Sequence, residues 1–257
     1  VNSHPQLIVL GAVAVAGLSG MAYSLLLAFA SIRLKADQTI GGTSLNMLAP
    51  AFAITLTWAI QGQGQTTILI PSWIRIAGNT DTFLGRLVFK SCYLTTPIAL
   101  GLLILAIVIL YKTRLGLRLR ACGEHPQAAA SMGINVAWMR YFGVMASGAL
   151  AGLAGGIMVL TADIQYTLVT IHGTGFIALA SLVFGKWNPF GVLGAGLFFG
   201  FSTALSFYAK DITFLASLPG EFFYALPYVL TIVALVVFAG KSVGPKAAGQ
   251  IYDSGRR

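Results

Sequence analysis

Apolar runs of membrane-crossing length alternate with short polar intervals along this chain, and the alternation predicts helices, not strands. Leu7 to Ala30 is the first run, long enough for a hydrocarbon core that about 20 helical residues cross. Ile40 to Ile60 follows, opened by Gly41-Gly42 and interrupted at Pro50. Tyr93 to Tyr111, Tyr141 to Thr161, Gly191 to Tyr208 and Phe222 to Ala239 continue the series. Phe176 to Phe184 is too short to cross without its flanks and reads as a re-entrant segment or, more plainly, a thin tilted span. The expected fold class is all-α: a polytopic helical membrane protein of about seven spans, one short or re-entrant, forming one transmembrane domain over residues 1–257. Residues 112–140 form its longest cytosolic loop and residues 241–257 a basic, Gly-rich, mobile tail.

Composition sharpens this picture. Hydrophobic residues make up 57% of the chain and charged residues 9%, with a mean hydropathy of +0.83. A typical soluble domain carries about 25% charged residues, so this chain lacks the polar surface that a soluble core would need. The net charge of +9 does not indicate nucleic acid, because the basic residues sit beside the spans. Twelve of the 16 basic residues fall on one side: Arg33, Lys35, the five of the Lys112–Arg140 loop, Lys186 and the four of the tail. The positive-inside rule makes that side cytosolic, with the C-terminus on it. On this topology Cys92 lies near the outer face and Cys122 on the inner one, so the two cannot pair.

The Lys112–Arg140 loop organises the chain. Four basic residues (Lys112, Arg114, Arg118, Arg120) are followed by Gly123, Glu124, His125 and Pro126, then a helix-favouring piece closed by Gly133. The basic run reads equally as a contact for anionic lipid and as a partner-docking segment. Pro126 suits a first helical position and Gly133 a left-handed stop. Arg118 to Ala129 reads Arg-Leu-Arg-Ala-Cys-Gly-Glu-His-Pro-Gln-Ala-Ala, and Met132-Gly133-Ile134-Asn135 closes the piece. These residues resemble the coupling loop of permease subunits of ATP-binding-cassette importers, in the branch that handles simple sugars and nucleosides. That branch belongs to the ribose and branched-chain amino acid permease superfamily. Gly175 to Ala180, Phe184-Gly185-Lys186-Trp187-Asn188-Pro189 and Leu34-Lys35-Ala36-Asp37-Gln38 resemble the same branch.

The resemblance implies a non-catalytic subunit of an importer for a nucleoside or simple sugar, in a cell inner or plasma membrane. Its partners would be ATP-binding-cassette ATPase subunits that hold ATP and Mg, a second permease (the same chain or a homologue), an extracytoplasmic solute-binding protein and membrane lipid. No cofactor is expected in this chain and no nucleic acid among its partners. Relatives of this type carry further membrane segments before the point matching Val1, so an N-terminally incomplete chain is expected. Coupling to the ATPase is expected from Gly123, Glu124, His125, Pro126, Ala128, Ala129, Met132, Gly133 and Ile134. Ala128, Ala129 and Ala130 would keep the helix thin enough for a partner's cleft, with Met132 and Ile134 as apolar anchors.

Two sets of intramembrane residues complete the reading. Gly148, Gly152 and Gly156 recur every four residues, a small-residue stripe that admits a neighbouring helix backbone. Asn46, His172 and Phe176 are candidates for a substrate path: an amide and an imidazole for solute hydroxyls, and a ring that can stack on a base or sugar. For Asn46 an interhelical hydrogen bond is the commoner alternative. His4, His125 and His172 are scattered without metal-ligand spacing, and no Gly-x-Ser-x-Gly elbow occurs. Gly240-Lys241-Ser242 imitates the end of a phosphate-binding loop, but Leu235 stands where its first glycine belongs. A secondary transporter or channel is the alternative function; it predicts ionisable residues in mid-span, and the runs carry no Asp, Glu, Lys or Arg there.

Overall fold

The computed structural model of the protein describes residues 5–62, 66–67, 95–161, 165–166, 173–208, 228–229, 232–233, 236 and 244–252. The described residues are predominantly helical, and four helices are long and apolar enough to cross a membrane. The chain divides into two compact units, Val1–Thr170 with Ala247–Arg257, and Ile171–Lys246.

In the first unit α1 (Pro5–Ala28) widens into a π-type turn at Phe29–Arg33, and α2 (Gln38–Gln61) follows. The turn between them is made by Lys35, held at φ 53°, and by Asp37, which caps α2 by accepting from the N–H groups of Thr39 (2.7 Å) and Ile40 (3.1 Å). Those two bonds, the Ile40 bond foremost, hold the Asp37 carboxyl below the usual carboxylate range. Pro50 does not interrupt α2, which runs through it to a left-handed stop at Gly62. A proline removes one helical N–H without ending a helix whose ends are otherwise secured.

Next come α3 (Thr95–Lys112), α4 (Arg114–Glu124), α5 (Pro126–Ser131) and α6 (Val136–Thr161). The fourth expected span therefore begins five residues earlier than Tyr141. Asn135 explains the difference: its side chain accepts the Trp138 N–H (3.0 Å) and its carbonyl the Met139 N–H, which starts the helix there. A two-residue antiparallel ladder pairs β1 (Thr66–Thr67) with β2 (Gln165–Tyr166).

α1 and α6 pack along most of their lengths in opposite directions. Val9 and Val13 bury against Leu153, Ile157 and Leu160 at one end. Farther along, glycines let the backbones meet. A Cβ on Gly152 would strike the Ala16 carbonyl and come within 3.1 Å of the Gly20 Cα; one on Gly20 would strike the Gly148 carbonyl and lie 2.8 Å from the Gly152 Cα. Gly148 lies against Ser24 and Gly156 against the Ala16 methyl. The glycine stripe thus faces α1. Between apolar helices in lipid there is little hydrophobic drive, so this close van der Waals approach is what holds the pair.

The second unit contains α7 (Thr174–Phe184) and α8 (Pro189–Tyr208). At about 1.5 Å per residue α7 is about half the thickness of a hydrocarbon core. The turn between α7 and α8 is closed by Trp187 N–H to Leu182 carbonyl (3.1 Å) and Lys186 N–H to Val183 carbonyl (3.1 Å). Lys186 and Trp187 are both left-handed, at φ 52° and 59°. Gly185 and Gly191 touch backbone to backbone, and Asn188 accepts the Phe190 N–H (3.1 Å) at the start of α8. Phe184 packs on Phe199 across the two helices (5.7 Å between centroids), and Gly244 lies against the Trp187 indole. Of the expected span Phe222 to Ala239, only Tyr228, Val229, Ile232, Val233 and Val236 are among the described residues, all helical and exposed.

Candidate functional site

The candidate coupling element is a helix–turn–helix at the base of α6. Thr113 caps α4 by accepting the Gly116 N–H (3.2 Å), and Gly116 lies directly against the Ile109 and Leu110 backbone. α4 therefore turns sharply away from α3 where the membrane span ends. His125 separates α4 from α5, and Pro126 occupies the first turn of α5, where its missing N–H costs nothing. The helix ends in a double cap: Ile134 N–H to Ala129 carbonyl (3.1 Å) and Gly133 N–H to Ala130 carbonyl (2.9 Å), with Gly133 at φ 79°. The left-handed stop at Gly133 is a position where any Cβ would be strained.

One face of this element is turned inward. Cys122, Ala129, Val136 and Met139 form a buried cluster, with Ala121, Ala130, Ile134 and Tyr252 packed around it. Ala129 is thus a core residue of its own chain (5% exposed) and cannot be part of a surface thinned for a partner's cleft. Ile134 supplies the apolar contact that accompanies such a helix stop and is likewise turned toward the cluster. Met132 stands out instead, 82% exposed at the tip of the turn. Glu124, His125 and Ala128 are also exposed, and Gly123 and Pro126 half-buried. Cys122 is a free thiol whose pKa is pushed up by burial, an effect that the nearby Arg140 charge partly opposes.

The tail is docked on this element. Ala247 N–H donates to the Gly123 carbonyl (2.9 Å), and the Arg140 guanidinium donates to the Gln250 carbonyl (2.7 Å) and lies over the Tyr252 ring (5.5 Å). Residues 247–252 are therefore held, contrary to the mobile tail expected from their Gly-rich, basic composition. Composition cannot register backbone carbonyls that capture a particular N–H or guanidinium. A cavity of about 270 Å³, lined by Ser31, Lys35, Asn135, Arg140 and Tyr252 among others, lies beside this anchor.

The substrate-path candidates are distributed differently. Asn46 is exposed on α2, and Pro50 has no N–H to give to the Asn46 carbonyl four residues before it. Phe176 is exposed in the first turn of α7, in the other unit. His172 lies outside the described residues. Among the described residues no group of His, Cys, Asp or Glu could hold a metal ion.

Residues 1–235 match the family described as the permease component of branched-chain amino acid transport systems. The chain belongs to this permease family. Among its relatives, the guanosine ABC transporter permease protein NupQ of Bacillus subtilis is 44% identical over 242 residues, covering 93% of this chain and 76% of the relative. The nucleoside ABC transporter permease protein NupC of Lactococcus lactis is 40% identical over 238 residues, covering 91% and 75%. A putative glucose ABC transporter permease protein of Haloferax volcanii, TsgC13, is 32% identical over 208 residues, covering 76% and 59%. No solved structure matches the chain. The family and the apolar helices together make this a multi-pass membrane permease, a transport component.

Proposed function

We propose that this permease carries nucleosides, guanosine among them, inward across the membrane, driven by ATP that separate subunits hydrolyse. The observation that carries the reading is the identity of 44% and 40% to two permeases named for guanosine and nucleosides, each over more than nine-tenths of this chain. The partners are two ATPase subunits with ATP and Mg on the cytosolic side, a second permease chain, and a solute-binding protein outside. The C-terminus is cytosolic on this reading, which the distribution of the basic residues supports.

In this complex the turn Gly123–Ile134 docks in a cleft of the ATPase, with Met132 inserted and Glu124 and His125 on the exposed rim. The buried face, Ala129 and Ile134, keeps the helix on α6 and passes the cleft's movement to a membrane span. Asn46, His172 and Phe176 each serve as a contact for the solute. The Asn46 amide together with its proline-freed carbonyl offers hydrogen bonds to ribose hydroxyls, and the Phe176 ring offers a stacking face to a base.

The test is uptake by the reconstituted complex with its binding protein in proteoliposomes. Labelled guanosine should enter only with ATP inside the ATPase compartment, should be unaffected by a proton ionophore, and should be displaced by other nucleosides but not by leucine. Uptake that survives ATP depletion would leave a secondary transporter as the better reading. ATP-dependent uptake of leucine or a free sugar without guanosine would overturn the substrate assignment.

A further inference from the structure

The docked tail lies beyond the residues that match the family, which end at 235. Its anchors reach three different parts of the coupling element. Ala247 N–H satisfies the carbonyl of Gly123, in the last turn of α4, where helical carbonyls lack intrahelical donors. Gln250 receives the Arg140 guanidinium from the first turns of α6, a short charge-assisted bond at 2.7 Å. The same guanidinium lies over the ring of Tyr252, which packs against the cluster that holds Ala129 of α5 and Val136 of α6. Ala247 itself is buried, 7% exposed.

α5 has only six residues, far below the length at which a helix holds itself together. Its position depends on what it is fastened to. From these contacts we propose that residues 247–252 are a clamp that fixes the α4–α5 turn to the base of α6, and that Arg140 is its positioning residue, so that movement imposed on the turn reaches the membrane span instead of being absorbed locally. The coupling half of this inference rests on the proposed function; the clamp itself does not.

The experiment therefore has two readouts on the same reconstituted complex: the full-length chain, a truncation after Gly244, and Arg140→Ala and Arg140→Lys. Amide hydrogen exchange of the 121–134 segment reads the clamp without any substrate. Truncation and Arg140→Ala should speed exchange at the Met132, Gly133 and Ile134 amides by about tenfold, the factor that a lost charge-assisted bond corresponds to. Arg140→Lys, which keeps the charge but not the fork and ring contact, should fall between. The second readout is guanosine taken up per ATP hydrolysed. It should fall severalfold in the truncated and Ala variants while hydrolysis continues, whereas a merely structural tail would lower uptake and hydrolysis together and leave their ratio unchanged. Unchanged exchange overturns the clamp. Faster exchange with an unchanged ratio overturns its role in coupling, and absence of guanosine uptake in the full-length complex overturns the nucleoside reading while the exchange result still decides the clamp.

Discussion

Gly152→Ala adds one methyl group at a point where two helix backbones touch. In an isolated helix the change would help, since alanine exceeds glycine by about 1 kcal/mol. Here the new Cβ would strike the Ala16 carbonyl and lie 3.1 Å from the Gly20 Cα, backbone atoms that no rotamer change can move. Helices α1 and α6 must separate, and overpacking of this kind costs about 1–3 kcal/mol. Gly155→Ala is the matched control, on the same helix, with no described atom within 4 Å of its Cβ. The helix-propensity gain is common to both variants and cancels in the comparison. Gly152→Ala should therefore be less stable than Gly155→Ala by about 1–3 kcal/mol, or about 5- to 150-fold in the unfolding equilibrium. Denaturant titration in mild detergent, followed by tryptophan fluorescence, measures the difference. A further contrast comes from Gly156, whose added Cβ would meet the Ala16 methyl at 2.7 Å. Ala16→Gly should rescue Gly156→Ala but not Gly152→Ala, because only the first clash is with a side chain. Equal stabilities for the two single variants, or equal rescue of both, would refute the backbone-contact argument.

In the proposed complex, Met132→Glu should reduce guanosine uptake and binding-protein-stimulated ATP hydrolysis by about tenfold or more, as loss of a central interface anchor does, while yield and membrane insertion stay at wild-type levels. Ala129→Arg should instead lower yield and stability, because its side chain has only the Cys122–Val136–Met139 cluster to enter; expression and size-exclusion profiles separate the two outcomes. Lys186→Gly should stabilise the α7–α8 turn by up to about 1 kcal/mol, the left-handed penalty less the added freedom of the unfolded chain, read as a rise in the detergent unfolding midpoint. The Asp37 cap should contribute fully above the ordinary carboxylate range and be lost only as pH falls through its lowered pKa; Asp37→Ala should remove that acid-dependent step from the unfolding profile.

The nature of the protein was legible in the sequence because membrane burial leaves a one-dimensional trace. Runs such as Leu7 to Ala30 and Tyr141 to Thr161 must be apolar throughout to sit in lipid. Glycines four residues apart announce a close helix contact, and Pro126 with Gly133 announces a short helix with its stop, because each needs a backbone property that few residues supply. The partners of these features were not legible. That α1 receives the glycine stripe depends on Ala16, Gly20 and Ser24 presenting small groups at matching heights, a three-dimensional coincidence. That Ala129 turns inward while Met132 turns out depends on how a six-residue helix is rolled against α6, and alanines carry no pattern to set that roll. The docking of the tail depends on Arg140 finding the Gln250 carbonyl, 110 positions away. Backbone carbonyls are the same at every residue, so only the tertiary structure could decide which one the guanidinium takes.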